Sequence, residues 1–327
     1  MATFESVQPT SHPRRANQLG WLLKIGPVYL TLVMLIFTAA ASQPSFLKEQ
    51  SIRNVLVSST PLAIAAVGQT LVILTAGIDL SIGPIISLAN LTCAVWMKDH
   101  PESAVGIALL CALIGLLIGA ANGYAVGYRK LNPFILTLGM GTIIRGVTLS
   151  IKDAPGGAVT RDFMQISRAV IGPIPAPVLY LLVLYLIGMY MLKKTPYGLS
   201  VFAVGGNENS ARLSGIRTRR VILSVYAISG LLAACAGIFL AARIGSGDPL
   251  VGDAFTLDAV TATVLGGTSL MGGIGGLWGT LAGVLIIGIL NTMLNLNNIS
   301  TFYQWIVKGA ILIGSLAFDF WRQRRHT

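Results

Sequence analysis

Charge is what this chain has least of. Asp, Glu, Lys and Arg make up 11% of its 327 residues, 12 acids against 23 bases, while 54% of residues are hydrophobic and mean hydropathy is +0.75. That balance excludes a water-soluble globular domain. Histidine is nearly absent: His12, His100 and His326 fall in tails and a loop. No HExxH, no paired-carboxylate spacing and no GxxxxGK[ST] occur, so no catalytic constellation is found and the chain does not itself hydrolyse ATP. The three cysteines, Cys93, Cys111 and Cys235, lie inside apolar segments without metal-ligand spacing and read as small packed residues, so neither a metal nor another cofactor is expected. Long polar stretches are lacking too, which leaves no room for a separate soluble domain. The net charge of +11 invites a nucleic-acid reading, but the bases sit in short loops between apolar runs. That is the distribution of a protein that crosses a membrane many times, with the lipid bilayer and not nucleic acid as its partner.

What is present is a series of apolar runs. Residues 1–20 are polar and expected to be a disordered cytoplasmic tail. Arg14 and Arg15 precede a run long enough to span, Trp21 to Ala41, without a convincing cleavage site, so it reads as a first span and not as a signal peptide. Further spans are expected at 55–97 (two, broken in the middle), 104–127, 133–151, 177–192, 221–242, 256–296 (two, broken at 266–276) and 302–321. Segments 152–176 and 193–220 read as loops, and 322–327 as a second tail. The expectation is an all-α polytopic membrane protein: one permease-like domain over 21–321, about ten transmembrane helices, and two halves that each hold an interrupted helix. Ten spans place 14 of the 23 bases on the side of both tails and 7 on the other, with Arg145 and Lys308 inside spans. The bias puts both termini in the cytoplasm. Eight spans would give the same orientation.

One stretch organises the rest. Ile73 to Asn90 reads ILTAGIDLSIGPIISLAN, with a single carboxylate, Asp79, between apolar runs. The run after it, Pro84 to Met97, would make a helix of about 21 Å, short of a hydrocarbon core roughly 30 Å thick. Gly77, Asp79, Ser81, Gly83 and Pro84 must therefore lie within or at the edge of the membrane, where broken backbone is tolerated only under cover of protein or water. An acid there is costly and marks a site. Two compatible roles follow: capping the next helix, or lining a pathway together with Ser81 and Asn90. Asn122 and Asn291 are further polar groups in spans. GIDLSIG at 77–83 shares its spacing with GTSLMGG at 267–273, which brings Gly267 and Ser269 into the same set. Paired interrupted segments point to a duplication around a central pathway. The competing reading is that these glycines only let helices pack closely.

The loop at 193–221 holds a second signal. Asn207 is a good N-cap, Glu208 suits a first helical turn and Gly215 suits the position after a helix end, so Glu208 to Ser214 is expected to form about two turns. So short a helix is marginal alone in water and is expected to be ordered by docking, with Ala211, Leu213 and Ile216 as apolar contacts.

GIDLSIG, AVGGNENSARLSGI, LDAVTATVLGGTSLMGG and FYQWIVKGAIL occur in this order over residues 45–320, and together they resemble the monosaccharide-type permeases of ATP-binding-cassette importers. The resemblance implies a bacterial inner-membrane subunit that dimerises with a second copy or a paralogue. It would rest on a cytosolic ATPase and receive sugar from a periplasmic binding protein. It also implies that Gly205, Gly206, Asn207, Ala211, Ser214 and Gly215 carry the helix that couples to the ATPase. The alternative is an ion-gradient-driven secondary transporter using Asp79, Arg145 and Lys308 as a relay.

Overall fold

A computed structural model describes residues 28–29, 31–39, 41 and 44–324. The tail expected at 1–20, much of the first span and residues 325–327 lie outside the described residues. The chain is a helical bundle. Its elements are α1 (31–39), α2 (Glu49–Leu74), α3 (Ile82–Asp99), α4 (Ala104–Gly127), α5 (Pro133–Ile151), α6 (Arg161–Arg168), β1 (Val170–Ile171), β2 (Ile174–Pro175) and α7 (Ala176–Lys194). They continue with α8 (Pro196–Gly206), α9 (Glu208–Leu213), α10 (Thr218–Ile244), α11 (Asp253–Leu265), α12 (Leu277–Leu296) and α13 (Thr301–Arg324). Among the described residues, six helices are long and apolar enough to cross a membrane: α2, the 101–127 stretch containing α4, α5, α7, α10 and α12.

The 27-residue α10 is the central post, packed on α2, α3 and α4. Its fit to α4 comes from glycines at every fourth position. A Cβ on Gly119 would lie 2.2 Å from the Tyr226 carbonyl oxygen, and one on Gly230 would lie 2.2 Å from that of Gly115. Small residues let the two backbones touch, which is how helices associate where lipid removes the hydrophobic drive. The opposite side of α4 shows Val105, Leu109, Leu113 and Leu117 outward, and α5 and α7 present similar apolar faces. Such surfaces suit hydrocarbon.

Three segments depart from the sequence reading. The 152–176 stretch is not only a surface loop: Thr160 caps α6 by accepting the Phe163 amide, and β1 and β2 form a two-residue antiparallel hairpin. Phe163 is buried against α10, and the Ser167 hydroxyl donates to Ala242 O at 3.1 Å. The basic loop at 193–220 contains a second helix, α8, started by Pro196 with Thr195 as its cap. Helix α3 is 18 residues long and not 14, because it runs through Lys98 and Asp99 beyond the apolar run and begins at Ile82 under protein cover.

The stretch 245–252 is a run of bends and turns that passes alongside α3. Asn90 Oδ1 accepts the Asp248 amide at 2.8 Å and Ser87 Oγ accepts the Gly252 amide at 2.8 Å. Gly83 and Gly252 meet backbone to backbone, where a Cβ on Gly252 would lie 1.9 Å from Gly83 O. Helix α11 therefore starts beside the first turn of α3, well inside the bundle, and needs only 13 residues.

Candidate functional site

The first break follows the end of α2. The Ala76 and Gly77 amides bond back to Ile73 O and Val72 O, closing the helix with Ala76 in the left-handed region at φ +59°. Glycine stands one position later because a Cβ at Gly77 would lie 2.5 Å from the Tyr226 hydroxyl. The chain then turns back into the bundle. Tyr226 OH donates to Ile78 O at 3.3 Å, and Thr137 Oγ1 accepts the Leu80 amide at 3.0 Å.

Asp79 is fully buried. Its Oδ1 accepts the Ser81 amide at 3.0 Å and the Ser81 hydroxyl at 2.6 Å, and its Oδ2 accepts the Ser229 hydroxyl at 2.9 Å. Asn122 in turn donates to Ser81 Oγ at 2.9 Å. Broken backbone and carboxylate are thus satisfied by side chains from α4, α5 and α10, as burial away from water requires. Ser229, Tyr226 and Thr137 were not singled out from the sequence. They lie 57 to 150 residues from their partners, and nothing local marks them.

The second break, 266–276, carries no charge and is shaped by glycine: Gly267, Gly272, Gly273 and Gly275 all have positive φ. Ser269 is buried, with its amide on Ile274 O at 2.9 Å. The two breaks touch, for the Gly273 amide donates to Leu74 O at 3.0 Å. Gly205, at the end of α8, lies against both: a Cβ there would sit 1.8 Å from Leu74 O and 2.6 Å from Gly273 N. Beside Gly206, by contrast, the space is open.

Helix α9 hangs from this junction. Asn207 Oδ1 accepts the Ser210 amide at 2.9 Å. After Ser214, Gly215 adopts φ +86°, with its amide on Arg212 O and the Ile216 amide on Ala211 O, a paired closure of the helix end. Glu208 pairs with Lys130 and accepts from Thr218 Oγ1 at 3.1 Å. Ala211 is turned inward, 4% exposed in the core, and Ile216 packs against the same cluster. Of the three apolar contacts expected for a partner, only Leu213 is offered outward, at 86% exposure.

The two bases expected inside spans each meet an acid on α11. Arg145 pairs with Asp253, and Lys308 Nζ reaches Asp258 Oδ2 at 2.7 Å. The first pair is part open, with side chains 48% and 35% exposed, and the second is nearly closed at 16% and 9%. A cavity of about 290 Å³ adjoins both acids between α11 and α13.

Charge pairs between apolar helices, breaks between helices and a doubly capped exposed turn are features of a polytopic transport subunit as a class of protein. The chain belongs to the family described as "Branched-chain amino acid transport system / permease component", whose model matches residues 51–316. It is 39% identical over 319 residues to the ribose import permease protein RbsC of Bacillus subtilis, covering 97% of this chain and 98% of that one. It is 35% identical to the D-allose transport system permease protein AlsC of Escherichia coli, covering 90% and 91%. To the xylose transport system permease protein XylH of Escherichia coli it is 33% identical, covering 90% of each. No solved structure matches the chain.

Proposed function

We propose that this chain is the permease subunit of an ATP-driven bacterial importer and carries a monosaccharide into the cytoplasm. Its partners are a cytosolic ATPase, a periplasmic sugar-binding protein and a second permease, either another copy or a paralogue. The observation that carries this reading is α9. It is capped at both ends, fixed to its own domain through Glu208, Ala211 and Ile216, and displays Leu213 to a partner. A secondary carrier has no use for such an element. Of Gly205, Gly206, Asn207, Ala211, Ser214 and Gly215, Gly205 joins α9 to both helix breaks, Asn207 and Gly215 cap it and Ala211 seats it, while Gly206 and Ser214 flank it. Asp79, Ser81, Gly77 and Gly83 hold the first break, Asn90 holds the 245–252 stretch along α3, and Gly267 and Ser269 shape the second break.

The chain crosses the membrane ten times, through α1 to α5, α7 and α10 to α13, with the stretch 245–252 completing the crossing of the short α11. Both termini and α9 face the cytoplasm, in line with the two-to-one excess of bases on that side. The relatives named for ribose, allose and xylose support a monosaccharide. The test is co-purification of tagged permease with its ATPase, together with uptake in vesicles energised by ATP alone. Leu213→Asp should leave insertion intact, release the ATPase during purification and abolish ATP-driven uptake. Uptake by the unaltered chain under an ion gradient with no ATPase present would overturn the reading.

A further inference from the structure

Within the bundle, polar groups differ in whether they reach open space. Asp79, Ser81 and Asn122 are wholly enclosed. Arg145 and Asp253 are instead part open, although Arg145 stands well inside α5 and Asp253 starts a helix deep in the bundle. A charge at such depth costs several kcal/mol against lipid, so this face meets water or protein. Asp253 and Asp258 lie on one side of the 290 Å³ cavity, with Thr261, Lys308 and the indole of Trp305 completing it. The volume is near the small end of ligand pockets and suits a single ring.

We propose that this cavity, between α11 and α13, is a transit site for an uncharged, polyhydroxylated ring and is open to water. This rests on the sugar-permease reading above. The chemistry fits hydroxyl groups. The carboxylates have free acceptor lone pairs, Lys308 and Thr261 add polar contacts, and Trp305, exposed and lining the cavity, supplies an indole whose flat face suits the C–H side of a sugar ring. Both acids are already matched by Lys308 and Arg145, so the site has no unpaired charge to favour an ion.

Gly309 lines the cavity, and a Cβ there meets nothing within 4 Å, so a cysteine fits. The experiment uses the assembled permease and ATPase in vesicles, with Cys93, Cys111 and Cys235 replaced by Ala. Gly309→Cys is compared with Leu113→Cys on the exposed apolar face of α4. A charged, water-soluble methanethiosulfonate should label Gly309→Cys at least about tenfold faster, since a charged reagent is excluded from hydrocarbon. Millimolar ribose, allose or xylose should slow that labelling. Trp305→Ala should raise the KM of ATP-driven uptake by about tenfold, and Trp305→Phe should restore most of it. Equal labelling of the two cysteines overturns the proposal, as does labelling that none of the three sugars slows. If uptake stays ATP-driven in either case, the importer reading stands without this site; if the ATPase fails to co-purify, that reading falls independently.

Discussion

Asp79 and Asp258 are both aspartates buried inside the same helical bundle, and they are held by opposite means. Asp79 is enclosed by neutral donors, the Ser81 amide and the hydroxyls of Ser81 and Ser229. Asp258 answers a cation, Lys308, at the wall of a cavity. The first arrangement ties down a backbone that has left its helix. The second leaves acceptor capacity facing open space. A buried carboxylate is therefore no single signal: its partners, and what lies on its far side, decide whether it is enclosed or faces a cavity.

The largest expected effect breaks the first member of the pair. Asp79→Leu strands the Ser81 amide and two hydroxyls in a closed interior, at a cost of about 1–3 kcal/mol for each unsatisfied group. Folded yield in detergent and ATP-driven uptake should both collapse, whereas Asp79→Asn, which keeps an acceptor oxygen, should retain part of each. Normal uptake by Asp79→Leu would show that the break does not depend on this residue.

Next comes the junction beneath the break. Gly205→Ala sets a methyl 1.8 Å from Leu74 O, contact that only a backbone shift relieves, while Gly206→Ala enters open space. Gly205→Ala should cut uptake at least about tenfold with the ATPase still bound, and Gly206→Ala should be near neutral. Equal behaviour of the two would mean that α8 is not tied to the breaks.

A smaller effect sharpens the second member. Lys308→Leu alone leaves Asp258 unmatched, whereas the double replacement with Asp258→Leu removes both charges. The double variant should insert and fold better than the single one, because removing one partner of a pair costs more than removing both. Thermal unfolding of the purified complex compares them, and equal destabilisation would argue against pairing.

The smallest effect is a gain. Ala76 holds a left-handed conformation that glycine adopts without penalty, so Ala76→Gly should stabilise the end of α2 by about 1 kcal/mol, read as a rise in melting temperature. No change would mean that the greater freedom of glycine in the unfolded chain offsets the relief.

Some of this was legible before any coordinates. Helix ends are local events, so Asn207 and Gly215 mark α9 within a residue, and Thr195-Pro196 carries an equally local start signal for α8. The glycines at 115, 119, 123 and 127 on α4 were likewise a visible stripe. The partners of Asp79, Arg145 and Lys308 were not legible.

By itself the sequence determined that the chain is a membrane protein, because run length and charge scarcity are read against lipid one segment at a time. It also determined the family, because four ordered motifs identify one. Only the tertiary structure decided which polar groups face each other. Lys308 meets Asp258 across 50 residues and Ser229 meets Asp79 across 150, and such pairings depend on how helices are arranged in space, which no local pattern of residues specifies.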